Sequence, residues 1–114
     1  MSNRDKEKKV AFIDQRIKNA YESLKKGRQE EKQLLIFIDR AIDDLKKNSF
    51  CGTRIPSKFW PKDYVKKYDV NNLWKYDLPN AWRLIYTVVG NEVEIISVIL
   101  EWFDHKNYER KFKY

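Results

Sequence analysis

Residues 78–103, LPNAWRLIYTVVGNEVEIISVILEWF, carry the clearest pattern in the chain. Two runs rich in β-branched and aromatic residues, Trp82–Val89 and Glu92–Leu100, predict two β-strands. Gly90-Asn91 lies between them and is typical of a two-residue hairpin turn. The second run is apolar on both faces, which is typical of a central strand covered on both sides.

A third run, Leu73–Leu78, precedes this segment and predicts a further strand, followed by a turn at Pro79-Asn80. Two-residue turns at both connections would place Arg83 opposite Tyr76 on one side and Val98 on the other. Arg83 is therefore predicted to lie in the middle of the sheet.

A guanidinium on an inner strand is costly to desolvate unless it faces an anion or an open cleft. Arg83 is therefore a candidate anion-binding residue. The alternative is structural, with Arg83 paired to a local carboxylate such as Glu101 or covering apolar surface with its stem.

Two helices are predicted before the strands. Apolar residues at helical spacing run from Ile13 to Leu24, with Asp14 as the N-terminal cap and Gly27 as the stop. The second pattern runs from Leu34 to Leu45. The connection is short, which predicts a helical hairpin.

The remaining segments carry weaker patterns. The apolar run at 10–13 is compatible with an edge strand, and residues 50–71 are predicted to be mostly irregular, with a short helix KDYVKKY that begins at Pro61. The predicted fold class is therefore α+β, an N-terminal helical hairpin packed on a small antiparallel sheet of about four strands. We expect one domain over 1–114, with a flexible charged tail at 1–8.

Composition excludes several classes of function. The chain has 114 residues with one Cys, one His and three well-separated Gly, so a disulfide framework, a zinc site of usual spacing and a glycine-rich phosphate loop are excluded. No apolar run approaches the length of a membrane span, and the N-terminus does not resemble a secretory signal. We expect a soluble, cytoplasmic protein that needs no metal or cofactor.

Positive charge is concentrated in the middle of the chain. The formal net charge is +7, and residues 46–75 hold eight lysines and arginines against two aspartates. Aromatic residues such as Phe59, Trp60 and Trp74 are interleaved with these cations, a combination that holds single-stranded nucleic acid in many proteins. The alternative is a solvated lysine-rich surface that serves only solubility, with most of the rings in the core.

His105 is the only histidine, and it lies just beyond the predicted central strand, three positions before Tyr108. Imidazole titrates near neutrality, so His105 is a candidate for proton transfer. An ordinary surface or capping role is the alternative.

Three motifs, LPNAWRLIY, VEIISVILEW and DHKNYERKF, together with the order of the predicted elements, resemble the RelE/ParE superfamily of type II toxins. Within it, the chain is most similar to the RelE-like mRNA interferases. The resemblance covers about residues 8–112 and implies metal-independent cleavage of mRNA, usually on the ribosome, by attack of a 2′-hydroxyl on the adjacent phosphate. It also implies a cognate antitoxin protein and a possible toxin–antitoxin hetero-oligomer.

The resemblance implies roles for individual residues. Arg83 matches the family's phosphate-stabilising arginine, and His105 and Tyr108 match C-terminal positions used for proton transfer. The residues expected to contact the RNA backbone are Arg54, Lys58, Lys62, Lys66, Lys67, Lys75, Arg110 and Lys111. Two alternatives remain open, a non-catalytic RNA- or ribosome-binding module and a ParE-like gyrase inhibitor on the same fold.

Overall fold

The computed structural model describes residues 6–112. Within this range the chain forms five strands and four helices, in the order β1 (Glu7–Phe12), α1 (Gln15–Leu24), α2 (Gln29–Lys47), β2 (Thr53–Arg54), α3 (Lys62–Tyr68), β3 (Trp74–Asp77), β4 (Arg83–Gly90), β5 (Glu94–Phe103) and α4 (His105–Phe112). Single 3₁₀ turns at Ser57–Phe59 and Pro79–Ala81 precede α3 and β4. None of the helices between residues 6 and 112 is long and apolar enough to cross a bilayer.

The five strands form one mixed sheet in the order β1-β5-β4-β3-β2. The fold class α+β is confirmed, but the predictions of about four strands, of a purely antiparallel sheet and of a helical hairpin at the N-terminus were wrong. Strand β1 precedes the helices and pairs in parallel with β5, from Glu7 opposite Glu94 to Phe12 opposite Ile99. The apolar run at 10–13 was compatible with an edge strand, and β1 does lie at the edge of the sheet, but the local sequence did not indicate its partner at the other end of the chain.

Strand β1 also shortens the predicted flexible tail. Glu7 and Lys8 are paired strand residues, so the prediction of a tail over 1–8 was wrong at these positions. Residues 1–5 lie outside the described part of the chain.

Helices cover both faces of the sheet. One core joins α1 and α2 to strand residues such as Leu84, Tyr86 and Ile99. A second core joins α3 and α4 to Ile85 and Leu100 on the opposite face. Because successive strand residues point to opposite faces, this arrangement explains why β5 is apolar on both sides.

The predicted α1 and α2 are confirmed. The Asp14 side chain accepts a hydrogen bond from the Ile17 backbone N–H at 2.9 Å and caps α1. Gly27 follows the helix and is required by space, because a Cβ there would lie 2.5 Å from Glu31 Cβ. The short helix after Pro61 is also confirmed as α3, whereas β2 lies in a segment predicted to be irregular.

The predicted register between β3 and β4 was wrong by one residue. The turn spans Pro79–Ala81, with Asn80 and Ala81 both at positive φ, and the Leu78 N–H donates to the Trp82 carbonyl at 2.9 Å. Arg83 therefore lies opposite Asp77, not Tyr76.

The predicted register between β4 and β5 was also wrong. The Asn91 side chain accepts hydrogen bonds from the N–H groups of Val93 and Glu94, which makes the turn longer than two residues. A bulge at Ile85/Tyr86 adds a further shift. Together they place Arg83 opposite Phe103 in place of Val98.

Candidate nucleic-acid interface

A cleft of about 920 Å³ opens between α3, α4 and the end of the sheet where β4 begins and β5 ends. Its aromatic lining comprises Phe59, Trp60, Trp82, Trp102, Phe103 and Phe112, and its basic lining comprises Lys58, Lys62, Arg110 and Lys111. We call this the cationic cleft. It combines rings on which bases can stack with side chains that neutralise phosphates, the two requirements for holding single-stranded nucleic acid.

Local structure fixes the wall of the cleft before α3. The Trp60 indole N–H donates to the Ile55 carbonyl at 2.8 Å, and Ile55 is buried in the second core. The Lys58 ammonium lies 5.1 Å from the Phe59 ring centroid, within the range of a cation–π contact. This wall therefore presents rings and cations from a backbone that is anchored in the core.

Ion pairing divides the cations of the cleft. Lys111 Nζ lies 2.7 Å from Asp63 Oδ2 and joins α4 to α3. This hydrogen bond with Lys111 holds the pKa of the Asp63 carboxyl below its usual value. Within residues 6–112, Lys58, Lys62 and Arg110 have no carboxylate within ion-pair distance. These three side chains are the cations of the cleft most available to an external phosphate.

The other predicted RNA-contacting residues lie outside the cleft. Lys66 and Lys67 are exposed on α3, and Lys67 lies 5.2 Å from the Tyr68 ring centroid. Arg54 lines a separate groove of about 560 Å³ beside Trp74. Lys75 is half-buried on β3 and pairs with Asp77.

Arg83 is held by three contacts at the start of β4. Its Nε lies 3.0 Å from Asp77 Oδ1 without the alignment of a hydrogen bond, so this contact is ionic. One terminal nitrogen donates to the Trp82 carbonyl at 3.2 Å, and the guanidinium carbon lies 5.7 Å from the Tyr108 ring centroid. Glu101, the partner considered from the sequence, instead accepts a hydrogen bond from the Tyr64 hydroxyl at 2.9 Å.

The structure therefore brings Arg83 and Tyr108 together. Tyr108 is buried and stacks on Phe112 with ring centroids 4.8 Å apart. His105 lies one turn earlier on α4, where its exposed ring contacts the Glu109 carboxylate. The contact with Glu109 spans one turn of α4.

Tyr64 belongs to the core, not to the interface. It is fully buried, and this burial, with Glu101 nearby, raises the pKa of its hydroxyl far above the usual value. Its position among the lysines of α3 does not indicate exposure, because α3 turns its apolar side to the sheet.

Sequence reasoning missed several residues of this region. Trp82, just before β4, and Trp102, on β5, both line the cleft. The correct register would have revealed them, as well as Asp77 beside Arg83. Among residues 6–112 no group of three His, Cys, Asp or Glu side chains is placed to hold a metal ion.

Comparisons of the chain with protein-family models, with curated proteins and with solved structures found no match. The similarity to RelE-like toxins therefore stays a prediction from the motifs.

Proposed function

We propose that the chain is a metal-independent endoribonuclease, the toxin of a type II toxin–antitoxin pair, which binds single-stranded RNA in the cationic cleft and cleaves it by 2′-hydroxyl attack. The observation that supports this best is the cleft itself. Lys58, Lys62 and Arg110 lie beside Trp60 and the other rings of the cleft. Arg83 does not itself line the cleft, but it begins β4 directly after Trp82, which does. The resemblance of the motifs further suggests that the substrate is mRNA bound to the ribosome.

Cleavage by 2′-hydroxyl attack builds extra negative charge on the phosphate. In this proposal Arg83 stabilises that charge, because its side chain is half-buried and its guanidinium is held by the Trp82 carbonyl and the Tyr108 ring. The guanidinium of Arg83 lies over the Tyr108 ring in a cation–π contact. We assign Tyr108 this positioning role, since its ring is buried under the guanidinium.

In this proposal His105 takes the proton of the attacking 2′-hydroxyl, and the 5′-oxygen that leaves the phosphate takes a proton from water. The imidazole is exposed, and the Glu109 carboxylate orients it across one helical turn.

The test compares Arg83→Gln with Arg28→Gln. Arg28 is exposed before α2 and makes no capping bond through its side chain, so it controls for the loss of one positive charge. On purified ribosome-bound message with a chelator present, Arg83→Gln should lose on the order of 10²–10³-fold in cleavage rate, whereas Arg28→Gln should match the wild type. Products should end in a 2′,3′-cyclic phosphate. Equal cleavage by wild type and Arg83→Gln would contradict the assignment.

A second function, RNA binding without cleavage, is favoured by one observation. Arg83 and Lys75 are both engaged by Asp77, and His105 is engaged by Glu109. If this function is correct, RNA binds in the cationic cleft and remains intact in the same assay.

A further inference from the structure

Asp77 bridges two cations at the end of β3. Its Oδ1 atom lies 3.0 Å from Arg83 Nε and 3.3 Å from Lys75 Nζ. Because both nitrogens approach the same oxygen, they lie at most 6.3 Å apart, the sum of the two distances. Two positive charges at this separation repel each other unless an anion lies between them.

The three side chains differ in exposure. The Asp77 side chain is 58% exposed, whereas those of Arg83 and Lys75 are 19% and 22% exposed. Lys75 and Arg83 are thus mostly covered by the protein, whereas the Asp77 carboxylate between them is open to solvent.

Asp77 has few other constraints. Its contact with Arg83 lacks hydrogen-bond alignment, and within residues 6–112 its only side-chain hydrogen bond is the one from Lys75. A carboxylate that positions an arginine is normally locked by further bonds of its own. Asp77 is held only by the two cations that it neutralises.

Arg83 is fixed independently of Asp77. The Trp82 carbonyl accepts from one terminal nitrogen, and the Tyr108 ring lies against the guanidinium. An anion with several oxygens can bridge Lys75 and Arg83 when the Asp77 side chain rotates away, because the backbone pairing of Asp77 with Arg83 does not depend on that side chain.

We propose that Lys75 and Arg83 form a phosphate-binding site, and that Asp77 occupies this site as a competing carboxylate that lowers its affinity. The proposal rests on the proposed role of Arg83 in binding a phosphate. Asp77 therefore reduces the binding of phosphate groups that lack additional contacts in the cationic cleft.

The test uses Asp77→Asn, which keeps the shape of the side chain and removes its charge. Its matched control is Glu22→Gln, a half-exposed carboxylate that pairs with Lys25 at 2.9 Å on α1. The probes are inorganic phosphate and a short 2′-O-methyl RNA that cannot undergo 2′-hydroxyl attack, and NMR titration gives their dissociation constants. We expect Asp77→Asn to bind each probe roughly fivefold more tightly than wild type, and Glu22→Gln to leave both constants within about twofold of wild type.

A double variant locates the effect. Asp77→Asn should give no gain when Arg83→Gln is already present, because the site then lacks one of its cations. Weaker or unchanged binding of phosphate by Asp77→Asn would overturn the proposal, as would a gain equal to that of Glu22→Gln or one that persists in the double variant. Circular dichroism melting checks that each variant is folded, and Asp77→Ser provides a second neutral variant.

The two probes separate this proposal from the proposed function. Tighter phosphate binding by Asp77→Asn, with no RNA binding by any variant, would support the site and reject the endoribonuclease. RNA cleavage by the wild type with unchanged phosphate binding in Asp77→Asn would support the enzyme and reject the role of Asp77.

Discussion

The salt dependence of RNA binding tests the cationic cleft quantitatively. Three of its basic side chains, Lys58, Lys62 and Arg110, have no ion-pair partner within residues 6–112. Each phosphate neutralised on a single strand contributes about −0.7 to the slope of log K against log salt concentration. Three contacts therefore predict a slope with a magnitude of about 2 or more. A slope of this size lowers the affinity roughly 20-fold between about 50 mM and 200 mM salt.

The informative perturbation is the double variant Lys58→Gln/Lys62→Gln. Removing two contacts should reduce the magnitude of the slope by about 1.4, so the affinity lost over the same salt range becomes roughly sevenfold smaller. Fluorescence anisotropy with a labelled 2′-O-methyl RNA measures the slope directly and is unaffected by cleavage.

The matched control is Lys66→Gln/Lys67→Gln. These residues lie on the same helix as Lys62 and carry the same charge, but they do not line the cleft. Their replacement should change the slope by less than about 0.5. An unchanged slope in the Lys58→Gln/Lys62→Gln variant, or equal changes in both double variants, would refute the cleft as the RNA-binding surface.

Three further predictions concern stability. Tyr86→Phe should lower the free energy of unfolding by about 2–3 kcal/mol in chemical denaturation, because the buried hydroxyl accepts from the Gly52 N–H at 3.1 Å and donates to the Ser49 carbonyl at 2.9 Å; a loss below about 0.5 kcal/mol would contradict this. Ala81→Gly should stabilise the protein by about 0.5 kcal/mol in the same assay, because Ala81 has a φ of 62°; destabilisation would contradict this. Burial and a hydrogen bond with Asp44 raise the pKa of Tyr76 from 10.0 to about 12. The Tyr76 hydroxyl therefore stabilises the folded state fully below pH 10, and this stabilisation is lost as the pH rises through 12. The free energy of unfolding of Tyr76→Phe should fall less than that of the wild type over this pH interval, and an equal fall would contradict the raised pKa.

Local patterns allowed most of the helices and strands to be predicted. The spacing of apolar residues in α1 and α2, the capping aspartate Asp14 and the β-branched residues of β4 and β5 act over a few positions, so they can be detected in one sequence. The extent of strand β1 and its partner could not be predicted, because β1 is stabilised by pairing with β5 at the other end of the chain. Strand β2 has only two residues and cannot produce a periodic signal.

Some basic residues of the cleft could be predicted from the density of positive charge along the chain, whereas the ion pairs between distant residues could not. Lys58 and Lys62 belong to the basic segment and do line the cleft. The pairing of Lys111 with Asp63 joins two helices that are distant in sequence, and it lowers the availability of a lysine that the sequence alone treats as equal to its neighbours. Net charge along the chain thus pointed to Lys58 and Lys62, but it did not indicate which other cations share the cleft or which remain available.

The error in register explains why Asp77 was not predicted. Cross-strand partners share a face of the sheet, so a shift of one residue replaces the neighbour of Arg83 by a residue from the opposite face. A two-residue turn would have given Arg83 an aromatic neighbour, Tyr76, and left its charge to an external anion. The three-residue turn, made possible by the positive φ of Asn80 and Ala81, gives it a carboxylate instead. The turn length therefore decides whether Arg83, the first residue of β4, is open to phosphate or already paired with a carboxylate, and composition and motifs do not contain this distinction.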